Sequence, residues 1–181
     1  LAEFITAIPE DELKNILYLL QGNVFPEWEE KKIGFSSRLI LKAIIKATGI
    51  PQKRVEELWN KRGDLGIVAA ELTKKKTQTT LFSAGLTTQK VLANIRKLAE
   101  LEGQGTVERK VGVVTELLTS ATPEEAKFVV KTVLQELRVG IAEGIIGEAI
   151  ARAFRQEVKN VAYAYPLTAE YGEVALLARP N

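Results

Sequence analysis

The chain has 181 residues, a formal net charge of +2, 46% hydrophobic residues, and neither cysteine nor histidine. Those absences exclude disulfides, thiolate nucleophiles and cysteine–zinc sites, and they remove the commonest general base and the commonest metal ligand. With so small a net charge there is no global basic field, so any nucleic-acid contact has to use a local patch.

Leu1 opens an apolar stretch without a methionine, so the sequence reads as a piece of something longer. Pro9 suits the first turn of a helix running to about Leu20, with Leu13, Ile16, Leu17 and Leu20 at helical spacing and Gly22 as its stop. The loop that follows holds Phe25 and Trp28, expected to plug the core. Ser36 or Ser37 can cap a helix to Thr48, with Gly49 just past its end. Pro51 starts a short helix with Val55, Leu58 and Trp59 inward; Gly63 ends it and Asp64 caps the next. Residues 73–83 read TKKKTQTTLFS, an exposed loop with no helical stripe. Thr87 caps a helix to about Leu101, and Gly103-Gln104-Gly105-Thr106 is a flexible turn before a helix over 107–118. Thr122-Pro123-Glu124-Glu125 combines a cap, a proline at the first position and a glutamate three residues after the cap, opening a helix to Leu137. After Gly140 come a helix to about Phe154, another from Glu157 to Tyr165, and a last one capped by Thr168. No segment alternates like a strand. The fold expected is all-α, a single domain of about ten to twelve short helices. Aligning Gly63-Asp64-Leu65-Gly66-Ile67 with Leu137-Arg138-Val139-Gly140-Ile141 suggests a two-fold internal repeat.

Enzymatic readings fare poorly. There is no Ser–His or Cys–His pair, no phosphate-binding G-x-x-x-x-G-K-[ST] loop, and no K-x-D-G string whose lysine could take a nucleotidyl group. Binding readings fare better. In Leu137-Arg138-Val139-Gly140, a guanidinium and a glycine precede an apolar helix, which suits bare N–H groups and one cation for a phosphate. Two further glycine turns stand beside cations: Gly63 to Gly66 next to Lys61 and Arg62, and Gly103 to Gly105 next to Arg109 and Lys110. Contacts of that kind hold a duplex without reading its sequence, so affinity would be salt-sensitive. Each feature also has a plainer reading, in which the glycines serve helix packing and the cations are solvated. Gln78-Thr79-Thr80-Leu81-Phe82 sets an aliphatic–aromatic pair on a loop, either to fold back into the core or to enter a partner's pocket.

At this point the strings carry a family likeness. Gly22-Asn23-Val24-Phe25-Pro26-Glu27-Trp28, Leu41-Lys42-Ala43, Ala47-Thr48-Gly49, Gly63-Asp64-Leu65-Gly66, Leu86-Thr87, Glu124-Glu125-Ala126-Lys127-Phe128, residues 137–144 (LRVGIAEG), Ala162-Tyr163 and Tyr171-Gly172-Glu173-Val174-Ala175 occur in one order through nearly the whole chain. Together they resemble the N-terminal DNA-binding domain of ATP-dependent DNA ligases of the archaeal and eukaryotic replicative type, the archaeal branch best. The resemblance implies that residues 1–181 form an all-helical domain with internal pseudo-symmetry, lacking the family's first helix, that grips the minor groove on both sides of a nick. DNA-contacting residues carried over, with the lysine run, are Gly63, Asp64, Leu65, Gly66, Lys75, Lys76, Gly105, Thr106, Lys110, Arg138, Val139 and Gly140. Gln78, Leu81 and Phe82 resemble a shortened sliding-clamp-binding motif. Catalytic residues, metal ligands and cofactor sites are expected to be absent from this stretch, the whole ligase using ATP and Mg2+ in its adenylation and OB domains. Its setting would be the archaeal cytoplasm at the nucleoid, or a nucleus, in replication, repair and recombination; the residue bias would fit a thermophile. Gln135-Glu136 departs from the family, where eukaryotic members have a glycine and a basic residue, and Thr106 replaces a frequent serine. A helical protein–protein scaffold, a clamp adaptor without direct DNA contact, is the alternative.

Overall fold

The computed structural model describes residues 1–26, 28–75, 85–137, 141 and 143–180. Among these residues it contains eleven α-helices and no strand: α1 (Ala2–Ala7), α2 (Glu10–Gln21), α3 (Ser37–Thr48), α4 (Gln52–Arg62), α5 (Leu65–Thr73), α6 (Thr88–Glu100), α7 (Thr106–Ser120), α8 (Pro123–Val133), α9 (Glu143–Ala153), α10 (Val158–Thr168) and α11 (Tyr171–Ala178). The all-α expectation holds.

Local chemistry sets most helix ends. Thr122 accepts from the Glu125 N–H at 3.3 Å while the Glu125 carboxylate accepts from the Thr122 N–H at 2.7 Å, the reciprocal box read from the sequence. Thr87 caps α6 through the Lys90 N–H at 3.1 Å, and Asp64 caps α5 through the Ile67 N–H at 3.0 Å. Gly22, Gly49 and Gly63 close α2, α3 and α4 in the left-handed conformation.

Several expectations change. The opening stretch forms α1. Helix α8 stops at Val133, because Gln135 takes φ 58° and its N–H turns back to the Thr132 carbonyl. Thr168 ends α10 instead of capping α11: its hydroxyl accepts from the Glu170 N–H, and α11 has no side-chain cap. Pro166 lies inside α10, two residues before its end, and has no N–H to bond the carbonyl of Ala162. Trp28 is 62% exposed and so is no core plug; Val24 is the buried member of that loop, and Phe25 is half-buried. In α4 only Val55 is fully buried, with Leu58 and Trp59 half-exposed.

The chain forms two compact units, one of Leu1–Lys31 with Arg138–Asn181 and one of Lys32–Leu137. In the first, α1 packs on α9 and α2 on α11, around Ile5, Leu13, Leu17, Ile146, Ile150 and Val174. In the second, α5 packs on α8 and α3 on α7, burying Ile40, Ile44, Val68, Leu72, Leu117 and Val130. Burial of apolar area at ~25 cal/mol per Å² drives both.

The units are two versions of one plan. Helices α3, α4 and α5 start or end 106 residues before their counterparts in α9, α10 and α11, as Ser37 and Glu143 or Asp64 and Glu170 illustrate. Ile40, Ala43, Ile44, Val55, Gly66, Val68 and Ala69 recur as Ile146, Ala149, Ile150, Val161, Gly172, Val174 and Ala175, all buried. The hairpin α1–α2 recurs as α7–α8 at an interval of 113, with Gly22 and Gln135 both left-handed and bonded to carbonyls three residues back. The seven-residue difference between these intervals is the length of residues 24–30, VFPEWEE, which the second copy lacks. Each unit takes its hairpin from one copy and its three-helix part from the other. The duplication is therefore present, but in another register from the one expected: residues 63–67 correspond to 169–173, not to 137–141.

Candidate nucleic-acid interface

The turn between α4 and α5 follows from its sequence. Gly63 takes φ 70° and lets the chain leave α4, and a Cβ there would meet nothing within 4 Å. Asp64 then spans two jobs. Its carboxylate accepts from the Ile67 N–H and pairs with Lys131 Nζ of α8 at 2.9 Å. Burial raises the cost of that charge, but the Lys131 and backbone bonds outweigh it and hold the carboxyl below the ordinary carboxylate range. Leu65 is buried. Gly66 is a packing glycine: a Cβ would lie 3.0 Å from the Lys127 carbonyl oxygen and 3.0 Å from Lys131 Cγ. Arg62 pairs with Glu71 at 2.6 Å, whereas Lys61 is exposed. Of the residues expected here to meet a phosphate, Gly63 offers open backbone; Asp64, Leu65 and Gly66 are spent on capping and packing.

The same device appears in the other copy. Glu170 pairs with Lys14 Nζ at 2.8 Å, and a Cβ on Gly172 would strike Lys14 Cγ at 2.6 Å. Burial disfavours the Lys14 ammonium, yet the bonds it donates to Glu170 and Glu173 hold its pKa above the ordinary lysine value. An acid before a glycine-bearing helix, locked to a lysine of the facing helix, is thus a structural element of both units.

The turn before α7 is built differently. Gly105 occupies the N-cap with φ 75° and supplies no side chain, so the first turn of α7 has no side-chain cap. The Thr106 hydroxyl donates to the Gly103 carbonyl. Arg109 Nη2 donates to the carbonyls of Glu102 at 2.7 Å and Gln104 at 3.3 Å, clamping the turn in place. Lys110 Nζ donates to the Ile33 carbonyl at 3.0 Å and lies 3.4 Å from where a Gly34 Cβ would stand. An uncapped helix start with bare N–H groups favours an anion, and here it comes with two cations on rigid backbone partners. The sequence points to Gly105, Thr106 and Lys110 but not to Ile33 and Gly34, because the bond from Lys110 to Ile33 spans 77 residues.

Lys75 is exposed just past α5. Lys76, Gln78, Leu81 and Phe82, and Arg138, Val139 and Gly140, lie outside the described residues. Among the described residues no group of three or more acidic side chains could hold a metal, and no helix is long and apolar enough to cross a membrane.

The chain is similar to known proteins of one kind. The family described as DNA ligase N terminus matches residues 1–151. A DNA ligase of Thermococcus fumicolans is 40% identical over 178 residues, which cover 98% of this chain and 32% of that protein. One of Nanoarchaeum equitans is 41% identical over 179 residues, covering 99% of this chain and 31% of that protein. One of Archaeoglobus fulgidus is 37% identical over 180 residues, covering 99% and 32%. The chain therefore spans about a third of the length of the relatives it matches. On this evidence the chain belongs to the DNA ligase N-terminal family, of the archaeal type.

Proposed function

We propose that this segment binds nicked duplex DNA through its sugar–phosphate backbone, without sequence preference, and positions it for strand joining by other parts of an ATP-dependent ligase in replication and repair. The family match over residues 1–151 carries the reading. The uncapped α7 start with Arg109 and Lys110 and the open turn at Gly63 support it, since they offer N–H groups and cations of the kind that meet phosphates. Arg138, Val139 and Gly140 are the third proposed contact, on their sequence. ATP and Mg2+ are assigned to the rest of the ligase. No K-x-D-G string occurs here, so no step of the chemistry is routed through these residues. The proposed setting is the archaeal cytoplasm. Gln78, Leu81 and Phe82 are proposed to engage a sliding clamp, on their resemblance alone.

Anisotropy of a labelled nicked duplex, titrated with this chain between ~50 and ~200 mM salt, tests the reading. Log affinity should fall linearly with log salt. Arg138→Gln should weaken binding alike on unrelated sequences and flatten the slope by about 1. Absence of binding at low salt would return the chain to the scaffold reading.

A further inference from the structure

The register of the duplication places a sequence like Arg138-Val139-Gly140-Ile141 at a second position. Counting back 106 residues gives Lys32-Ile33-Gly34-Phe35: a cation, a β-branched residue, a glycine and an apolar residue, in the same order before the matching helix. The same interval aligns Ile40 with Ile146 and Gly63 with Ala169, and it relates the points where the chain enters each unit's three-helix part, at Lys32 and at Arg138.

At this second position the geometry is on view. Residues 32–36 form neither helix nor strand. Ile33 and Phe35 are buried as anchors, while Lys32, Gly34, Ser36 and Arg38 are exposed. Gly34 takes φ 59° and presents bare backbone. Lys110 reaches across to bond the Ile33 carbonyl, which sets its ammonium against Gly34. Ser36, at the N-cap of α3, makes no side-chain bond to the first turn of that helix. No ion pair holds Lys32, Arg38 or Lys110 among the described residues, and no carboxylate occurs between Gly34 and Lys46. Two exposed cations without an ion pair, Lys32 and Arg38, thus flank in sequence a glycine turn that Lys110 bonds and that leads into a helix with no side-chain cap. A stability role accounts for Ile33 and Phe35 but not for leaving Lys32 and Arg38 without a counter-charge.

We propose that Lys32, the Gly34 turn and Arg38, braced by Lys110, form a further phosphate grip on the nucleic-acid backbone, the duplicate of the one proposed at Arg138, Val139 and Gly140. This rests on the duplex-binding reading above. Lys110 then has a defined part: it ties the turn before α7 to the segment before α3 within the Lys32–Leu137 unit.

The test uses the chain as it stands and nicked duplex in anisotropy at several salt concentrations. Lys32→Gln and Arg38→Gln lie on the surface and should leave the melting curve unchanged. Each should weaken binding roughly five- to tenfold near ~0.1 M salt and flatten the log–log slope by about 1, as loss of one phosphate contact does. Lys32→Arg should restore binding. Lys159→Gln, removing an exposed lysine of α10 that pairs with Glu157, is the control. If the unaltered chain binds with steep salt dependence, Arg138→Gln weakens it, and Lys32→Gln titrates like Lys159→Gln, the second grip is overturned while the first reading stands. If the unaltered chain does not bind at low salt, both fall.

Discussion

Lys110 donates from Nζ to the carbonyl oxygen of Ile33 across 3.0 Å, and so joins α7 to the segment that precedes α3. A hydrogen bond from a charged donor contributes ~1.5–3 kcal/mol when sheltered. Lys110 is only half-buried, so about 1 kcal/mol is the expected stability loss for Lys110→Met in urea unfolding. The same variant should bind nicked duplex more weakly and with a flatter salt slope. A variant with unchanged stability would mean that the bond does not form in solution.

Two glycines of unlike surroundings predict opposite signs. Gly66→Ala places a Cβ 3.0 Å from the Lys127 carbonyl oxygen, a backbone atom that cannot swing away. The cost should be ~1–3 kcal/mol, as for other overpacked cores. Gly112 lies exposed inside α7 with nothing within 4 Å of its would-be Cβ. Gly112→Ala should therefore stabilise by ~0.4–1 kcal/mol, through helix propensity and a less flexible unfolded chain. Thermal melts of the two variants compared with the unaltered chain decide the matter; a destabilised Gly112→Ala would contradict the open surroundings.

These two residues mark how far the sequence could be read. Helix starts were legible because their chemistry is local: Thr122 and Glu125, Thr87 and Lys90, Asp64 and Ile67 are each three residues apart. What a glycine faces is not local, so Gly66 read as a phosphate-facing residue although α8 covers it. Trp28 read as core because large aromatics are usually buried, yet it sits in a stretch that only one copy of the repeat possesses. The glycines of the repeat, taken alone, suggest it in the wrong register. Its true register is carried by buried isoleucine, alanine and valine, and three of its capping glycines have become Gln135, Arg155 and Ala169. Of the candidate interface, the cations were legible by type, whereas the partner that fixes Lys110 was hidden by chain distance.

Those three replacements carry a prediction of their own. Gln135, Arg155 and Ala169 have φ of 58°, 54° and 53°, and they are the non-glycine residues with positive φ among those described. Their counterparts Gly22, Gly49 and Gly63 hold the same conformation without a Cβ. Left-handed backbone costs an ordinary residue ~1–2 kcal/mol, part of which glycine gives back in unfolded-state entropy. Gln135→Gly, Arg155→Gly and Ala169→Gly should each stabilise by ~0.5–1 kcal/mol. Gly63→Ala, with open space around it, should destabilise by a similar amount. Denaturant midpoints of the four variants check the set. A loss of stability in all three glycine variants would show that those caps are not strained.

Asp64 yields the acid limit. Its carboxyl titrates below the ordinary range when folded, because Lys131 and the α5 backbone bind its charged form. A group depressed on folding contributes stability above its unfolded pKa of ~3.9, and that contribution is lost as pH falls through the lower folded value. Asp64→Asn keeps a good N-cap but gives up the ion pair at 2.9 Å, which is part-exposed and so contributes under about 1 kcal/mol. Asp64→Ala loses the cap as well and should cost ~1–2 kcal/mol at neutral pH. The gap between the unaltered chain and Asp64→Asn should be steady from pH 5 to 7, expected on the reference value of ~3.9, and close on further acidification. Urea unfolding of the pair across that range measures it. A gap that did not narrow as pH fell below the unfolded value of ~3.9 would assign the stabilisation to something other than the charge of Asp64.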